Sequence, residues 1–243
     1  MPLFALDEPL APGDVATAPL RVGATTYSRA VVRTEWVQPG ADLAAVVGEA
    51  TEGLRDEADV IAISEKLVLV ATGRGVPVSG VRPGRLARWA AARIRPIGRS
   101  RGLGIPEKMQ LVIDLTGRTR IVLALAAAAL TRPLRVRGAF FLVAGENARS
   151  MDGMRTPYDD VLLPPLRREE AAEETRRLSR HLGCPVAIVD INDRGGTVRS
   201  VDRTSPLARR EVAAALRDNP MGQRARATPI VVITRRPDQP EGA

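Results

Sequence analysis

The stretch Ile188-Val189-Asp190-Ile191-Asn192-Asp193-Arg194-Gly195-Gly196 decides how the chain is read. An apolar run, Val186 to Val189, reads as a buried strand and delivers two carboxylates and a carboxamide to a turn closed by two glycines. Carboxylates at the C-terminal end of such a strand are where α/β enzymes commonly hold a metal or a substrate. In extended geometry Asp190 and Asn192 share one face, and Asp193 reaches the same point through the turn. Oxygen ligands so grouped suit a hard divalent cation that keeps several waters. An Asx-turn, with Asn192 and Asp193 bonded to their own backbone and Gly195 at positive φ, explains the same residues equally well.

Working outward, Arg167 to Leu182 is a surface helix with the buried line Ala171, Thr175, Leu178 and Leu182, a Glu173–Arg177 pair and Gly183 as its C-cap. Ser205 and Pro206 predict the start of a helix to Leu216, and Pro229 to Thr234 the last strand. Toward the N-terminus, Val136 to Ala144 and Gln110 to Leu115 read as strands, the latter ending at Asp114, with a polar loop from Gly145 to Thr156. Arg120 to Leu130 is strand or buried helix, its alanines favouring helix in the second half. Arg82 to Arg101 holds seven arginines and no acid. Its stripe Leu86, Trp89, Ala90, Ile94 predicts an amphipathic helix that Pro96 ends. Asp59 to Ser64 is a short strand, continued by Leu67 to Ala71 after Glu65-Lys66; Asp42 precedes helical spacing from Leu43 to Leu54; Arg29 to Trp36 alternates as a strand. The expected organisation is a flexible arm over 1–28, one α/β domain over 29–235 and a disordered tail over 236–243. The fold class is α/β, in an α+β arrangement with mixed sheets, because strands and helices do not alternate strictly.

Composition narrows the function. The 243 residues are 44% hydrophobic but only 3% aromatic, so the core rests on Ala, Val, Leu and Ile. No apolar run approaches the ~20 residues that span a bilayer, and the first ten residues lack the pattern of a signal peptide. Cys184 is the single cysteine, which places the expected home in a reducing cytoplasm. The net charge of +8 invites a nucleic-acid reading, but few aromatics remain to stack bases and no nucleic-acid-binding signature appears. Lysine occurs only at Lys66 and Lys108; each is either a chance occurrence or a place where a compact ammonium is preferred to a guanidinium.

One histidine, His181, at a helix end, excludes a multi-histidine metal site and reads as structural. No Gly-rich nucleotide fingerprint occurs. What remains is oxygen-ligand and arginine chemistry, drawn from Ser64-Glu65-Lys66, Asp114, Gly145-Glu146-Asn147, Asp152-Gly153, Asp190 to Asp193, and Asn219. Brought together, these groups make a carboxylate-rich cavity of the kind that Mg²⁺- or Mn²⁺-dependent phosphoryl transfer requires.

Gly40-Ala41-Asp42-Leu43, Ala58-Asp59-Val60 to Ser64, Lys66 and Gly73-Arg74 resemble the opening of the coenzyme F420-0:L-glutamate ligases. Val143-Ala144-Gly145, Leu162-Leu163-Pro164, Val186 to Arg194, Met221-Gly222 and Thr228 to Ile233 follow in the order of that family's later segments. The sequence departs from the pattern where Glu65 separates Ser64 from Lys66, where Gly145-Glu146-Asn147-Ala148-Arg149-Ser150 replaces an Asp-bearing segment, and where Gly196 to Ser205 replaces a longer one. The resemblance implies a GTP-using, Mg²⁺- or Mn²⁺-assisted ligase that adds glutamate to a deazaflavin precursor through an acyl phosphate, working as a homodimer. It implies Lys66 and Asp190 as catalytic residues. Lys66, Arg74, Lys108, Asn147, Ser150 and Asn219 would bind substrate or nucleotide, and Asp190, Asn192, Asp193, Glu146 and Asp152 the metal. Two alternatives stand beside it: a homologue that binds a nucleotide or anionic metabolite without ligation, and a basic nucleic-acid-binding protein.

Overall fold

The computed structural model describes residues 10–94, 101–133, 138–155, 158–192, 195–222 and 226–236, the side chains of 154 and 155 excepted. In chain order its elements are β1 (Val15–Thr17), β2 (Leu20–Val22), β3 (Thr25–Val32), α1 (Leu43–Ala50), β4 (Val60–Ser64), α2 (Glu65–Ala71) and β5 (Val76–Pro77). Then come α3 (Arg85–Ala91), α4 (Pro106–Thr116), α5 (Arg118–Thr131), α6 (Ala139–Ala144), α7 (Glu146–Ser150), β6 (Asp152–Arg155) and β7 (Tyr158–Leu163). The chain closes with α8 (Arg168–Leu182), β8 (Val186–Asn192), β9 (Gly195–Val201), α9 (Arg209–Ala215) and β10 (Ile230–Arg236). The fold is mixed α/β, as expected. It divides into two compact units, residues 1–73 with 166–243, and residues 74–165. These limits do not coincide with the expected boundaries at 28/29 and 235/236.

The first unit holds a seven-stranded sheet in the order β1-β3-β10-β4-β8-β9, with β2 paired to β3. Among the described residues only β4 and β8 run parallel, and every other pair is antiparallel. Val60, Ala62, Ala187 and Val189 pack with Val212, Ala215 and Leu216 in one apolar cluster, so α9 covers that face. The alternating residues Ile61, Ile63, Val186 and Ile188 are equally buried, as strands covered on both faces require. On α8 the expected line Ala171, Thr175, Leu178 and Leu182 is buried, and Gly183 closes the helix at φ +64°. Asp42 caps α1 by accepting the N–H groups of Ala44 and Ala45.

Several expectations are corrected in this unit. Residues from Val15 onward belong to the sheet, since β1 and β2 both pair with β3, and β3 starts at Thr25 and ends at Val32 rather than running from Arg29 to Trp36. The run after Ser64 is a helix: α2 buries Leu67 to Ala71 without interruption, which removes the periodicity that separates a short helix from a strand. Ser205 forms a local turn by accepting the Leu207 N–H at 3.1 Å, and α9 begins only at Arg209, where Glu211 accepts the Ala208 N–H at 2.9 Å. Arg177 pairs with Glu174 at 2.7 Å, one residue closer than Glu173. The tail beyond 236 lies outside the described residues.

A buried arginine ties this unit together. Arg29 on β3 donates Nε to Ala18 O at 2.6 Å and Nη1 to Ala215 O at 2.9 Å, and grips the Asp218 carboxylate with both Nη groups. Its charge and its donors are matched in one bidentate arrangement, which is how a guanidinium is tolerated in a core.

The second unit is helical, with a three-stranded sheet β5-β7-β6. Its core joins Ala87, Ala90 and Ala91 of α3 to Met109, Val112, Ile113, Ile121, Ala124, Ala144 and Ala148. The strands expected at Gln110 to Leu115 and at Val136 to Ala144 are helical over 110–115 and 139–144: α4 starts with Pro106 at its first position, and glycines 138 and 145 bound α6. Arg120 to Leu130 lies wholly within helix α5. The expected polar loop from Gly145 contains α7 and β6. On α3 the inward stripe is Ala87, Ala90 and Ala91, while Trp89 is exposed with Arg93 stacked 3.8 Å over its ring. Pro96 lies outside the described residues.

Candidate active site

The parallel pairing of β4 with β8 stops at Ser64, opposite Val189, in the first unit. The carboxyl ends of adjacent parallel strands are a favoured place for ligands in α/β proteins. Beyond this point β8 continues as a hairpin with β9, pairing Asp190 with Thr197, Ile191 with Gly196 and Asn192 with Gly195. Asp190 and Asn192 thus lie two apart on a strand and share a face. Gly195 has φ +122°, and a Cβ on Gly196 would come within 2.6 Å of Asp190 O, so the turn needs both glycines. Asp193 lies outside the described residues.

The chain places a charged relay across these strand ends. Glu65, the first residue of α2, accepts the Leu166 N–H at 2.7 Å on Oε1 and the Arg199 Nε–H at 3.0 Å on Oε2. Arg199 in turn donates Nη2 to Asp190 Oδ2 at 3.2 Å. The side chains of Arg199 and Glu65 are 4% and 6% exposed, that of Asp190 39%. Burial pushes the Glu65 carboxyl above its ordinary range, the Arg199 charge and the Leu166 N–H pull it back down, and Asp190 adds a smaller upward push. A β-bulge aims the arginine. Val198 faces Val189 and Ser200 faces Ile188, so Arg199 is the extra residue of β9. Arg209, at the start of α9, donates Nη2 to Arg199 O at 3.2 Å and braces the bulge.

The remaining candidates fall as follows. Lys66, half-buried, follows Glu65 on α2. Glu65 is a buried partner of Arg199. Asn219 is buried in a left-handed turn at φ +54°, its N–H donating to Leu216 O and its carbonyl accepting the Gly222 N–H, each at 3.0 Å. Arg74, Lys108, Glu146, Asn147, Ser150 and Asp152 belong to the second unit. There Lys108 is buried and donates Nζ to Gly153 O at 2.8 Å, joining α4 to β6. Asn147 donates to the Leu115 carbonyl at 3.2 Å, in the last turn of α4. Arg74 and Glu146 are exposed, and Ser150 and Asp152 half-buried. Asp114, expected at a strand end, sits exposed on α4 and accepts from Gln110 Nε2 at 2.7 Å. Among the described residues no group of three or more His, Cys, Asp or Glu side chains is arranged to hold a metal.

Sequence reasoning placed Glu65 only among the polar groups of an expected cavity and did not single out Arg199. The signal available was Arg199 itself, a charged residue between Val198 and Val201 on β9. A buried guanidinium there demands a buried carboxylate.

Carboxylates and a guanidinium at strand ends can bind a phosphate, a carboxylate or a cation carried by either. The family model described as F420-0:Gamma-glutamyl ligase matches residues 31–218, a span that contains Glu65, Lys66, Asp190, Arg199 and the whole of the second unit. No curated protein matches the chain. With more than half of its length covered in one continuous match, the chain belongs to the F420-0:gamma-glutamyl ligase family.

Proposed function

We propose that the chain is a GTP-using ligase that activates a carboxylate as an acyl phosphate and joins it to the amine of glutamate. Family membership supports a ligase role in coenzyme F420 biosynthesis. The observation that carries the finer reading is Asp190, held by Arg199 at the carboxyl ends of β4 and β8 with Lys66 next to Glu65. In this reading the substrate carboxylate attacks the γ-phosphorus, the bond to the β-γ bridging oxygen breaks, and GDP departs. The glutamate amine then attacks the acyl carbon, inorganic phosphate leaves, and the amine proton passes to solvent. Lys66 binds the transferring phosphoryl group as a mobile point charge. Arg199 and Glu65 fix the Asp190 carboxylate.

A Mg²⁺ or Mn²⁺ ion brought in on nucleotide phosphates needs one or two carboxylates from the protein and not an all-protein cage, and Asp190, 39% exposed at the strand end, fits that need. Asp190 would hold it, with Asn192 on the same strand face, and the ion would neutralise charge on the phosphates. The small-molecule acceptor is an anionic carboxylate of the deazaflavin-precursor class.

The working form is proposed to be a homodimer. Leu123 and Leu130 on α5 are 59% and 76% exposed and Leu142 on α6 is 72% exposed, apolar surface that a second copy would cover. No helix of the described residues is long and apolar enough to cross a membrane.

A thermal-shift series tests the reading. Stabilisation that appears only when GTP and Mn²⁺ are added together supports it, and the same shift with either alone argues for simple anion or cation binding.

A further inference from the structure

We propose that Arg199 is the resident counter-ion of Asp190, which a divalent ion displaces only when a polyphosphate arrives with it. The site therefore takes ion and nucleotide jointly and a bare ion poorly. The proposal deepens the nucleotide-using reading and rests on it for the identity of the polyphosphate.

The two ends of the guanidinium are unequal. Its Nε contact with Glu65 is 3.0 Å long between side chains only 4% and 6% exposed, so water neither screens nor replaces it. Its Nη2 contact with Asp190 is 3.2 Å long, and Asp190 is 39% exposed. Water screens that outer contact and competes for it. The outer bond is the exchangeable one.

Arg199 cannot retreat when the bond exchanges. The bulge fixes its direction, Arg209 Nη2 holds its carbonyl at 3.2 Å, and Glu65, itself pinned by the Leu166 N–H at 2.7 Å, holds its Nε. A bare divalent ion on Asp190 would thus face a fixed positive charge a few ångströms away, in surroundings less polar than water. Phosphate oxygens remove the conflict, because they take the donated hydrogen bond from the guanidinium and ligate the ion together with Asp190.

Titration calorimetry on the full chain, with MnCl₂ alone, GTP alone and MnCl₂ at saturating GTP, tests this. The parent is expected to bind Mn²⁺ about tenfold or more tightly with GTP present than without it, a usual size for coupling between two ligands. The paired variant Glu65→Gln/Arg199→Met removes both charges of the buried pair, so neither is left uncompensated. It is expected to bind Mn²⁺ alone about tenfold more tightly than the parent and to lose most of the gain from GTP. Arg199→Lys, which keeps a charge beside Glu65 but cannot bridge both carboxylates, moves both quantities the same way and replaces the paired variant if that one lacks a cooperative thermal transition. Unchanged Mn²⁺ affinity in the variant, with GTP binding retained by the parent, overturns the proposal and spares the nucleotide reading. Tighter Mn²⁺ binding by the variant, with no GTP binding by the parent, does the reverse: the counter-ion role stands and the nucleotide reading falls.

Discussion

Arg199 meets Glu65 at 3.0 Å although 134 residues separate them in the chain, and neither side chain is more than 6% exposed. One comes from a bulge in β9 and the other from the first turn of α2, so the pair joins the carboxyl end of β4 to the β8–β9 hairpin that carries Asp190. Removing one partner strands the other charge in the core, which costs about 3–5 kcal/mol, while replacing both with neutral groups of similar size is close to neutral. Glu65→Ala and Arg199→Met are each expected to lower unfolding free energy by about that amount, and Glu65→Gln/Arg199→Met by much less. Urea denaturation of the four proteins checks this. Additive losses would show that the two side chains do not depend on each other.

Cys184 is buried against the Asp59 carbonyl, with Sγ at 3.5 Å. Burial, helped by the Asp59 charge, pushes its thiol up from the ordinary thiol range to about 11. The folded protein is expected to resist iodoacetamide at pH 8.5, where an unfolded thiol is partly ionised, and to react promptly in urea. Because the folded value is the higher one, the thiol's contribution to stability is present below pH 9 and is lost as pH rises from there toward 11. Equal alkylation rates with and without urea would contradict the placement.

How much of this was legible in the sequence follows from what each residue leaves behind as a pattern. Helix α8 and strand β8 were readable because one keeps a polar face at helical spacing and the other ends in Asp190 and a glycine turn. Helix α2 was misread because a short run buried nearly all round has no polar face to set a period, and α4 and α6 because apolar side chains at Leu115, Phe141 and Leu142 lie on their exposed sides and blur it. Asp190 was singled out from its strand end alone. The pairing of Glu65 with Arg199 was not legible, because a long-range ion pair and a bulge of one residue leave no local pattern. The family resemblance was carried by the order of many weak segments, so it survived these errors in individual elements.

The exposed leucines of α5 and α6 predict assembly. Light scattering at micromolar concentration is expected to give twice the chain mass, and Leu123→Glu/Leu130→Glu to shift it toward the single chain without loss of helical signal. A parent that scatters as one chain refutes the dimer.

Lys66 is proposed to touch phosphate. Lys66→Met is expected to weaken GTP binding by about tenfold or more, since a charge-assisted hydrogen bond contributes about 1.5–3 kcal/mol, and to change unfolding free energy little. Unaltered GTP affinity would return Lys66 to a structural role.

The central claim is that Asp190 holds the metal-nucleotide unit, and calorimetric titration of Mn²⁺ with GTP into the parent and into Asp190→Asn tests it most directly. The account predicts joint binding by the parent and a loss of about tenfold or more in the variant at an unchanged thermal midpoint, as a carboxylate ligand is replaced by a neutral amide of the same shape. An Asp190→Asn protein that binds Mn²⁺ and GTP as tightly as the parent would contradict it.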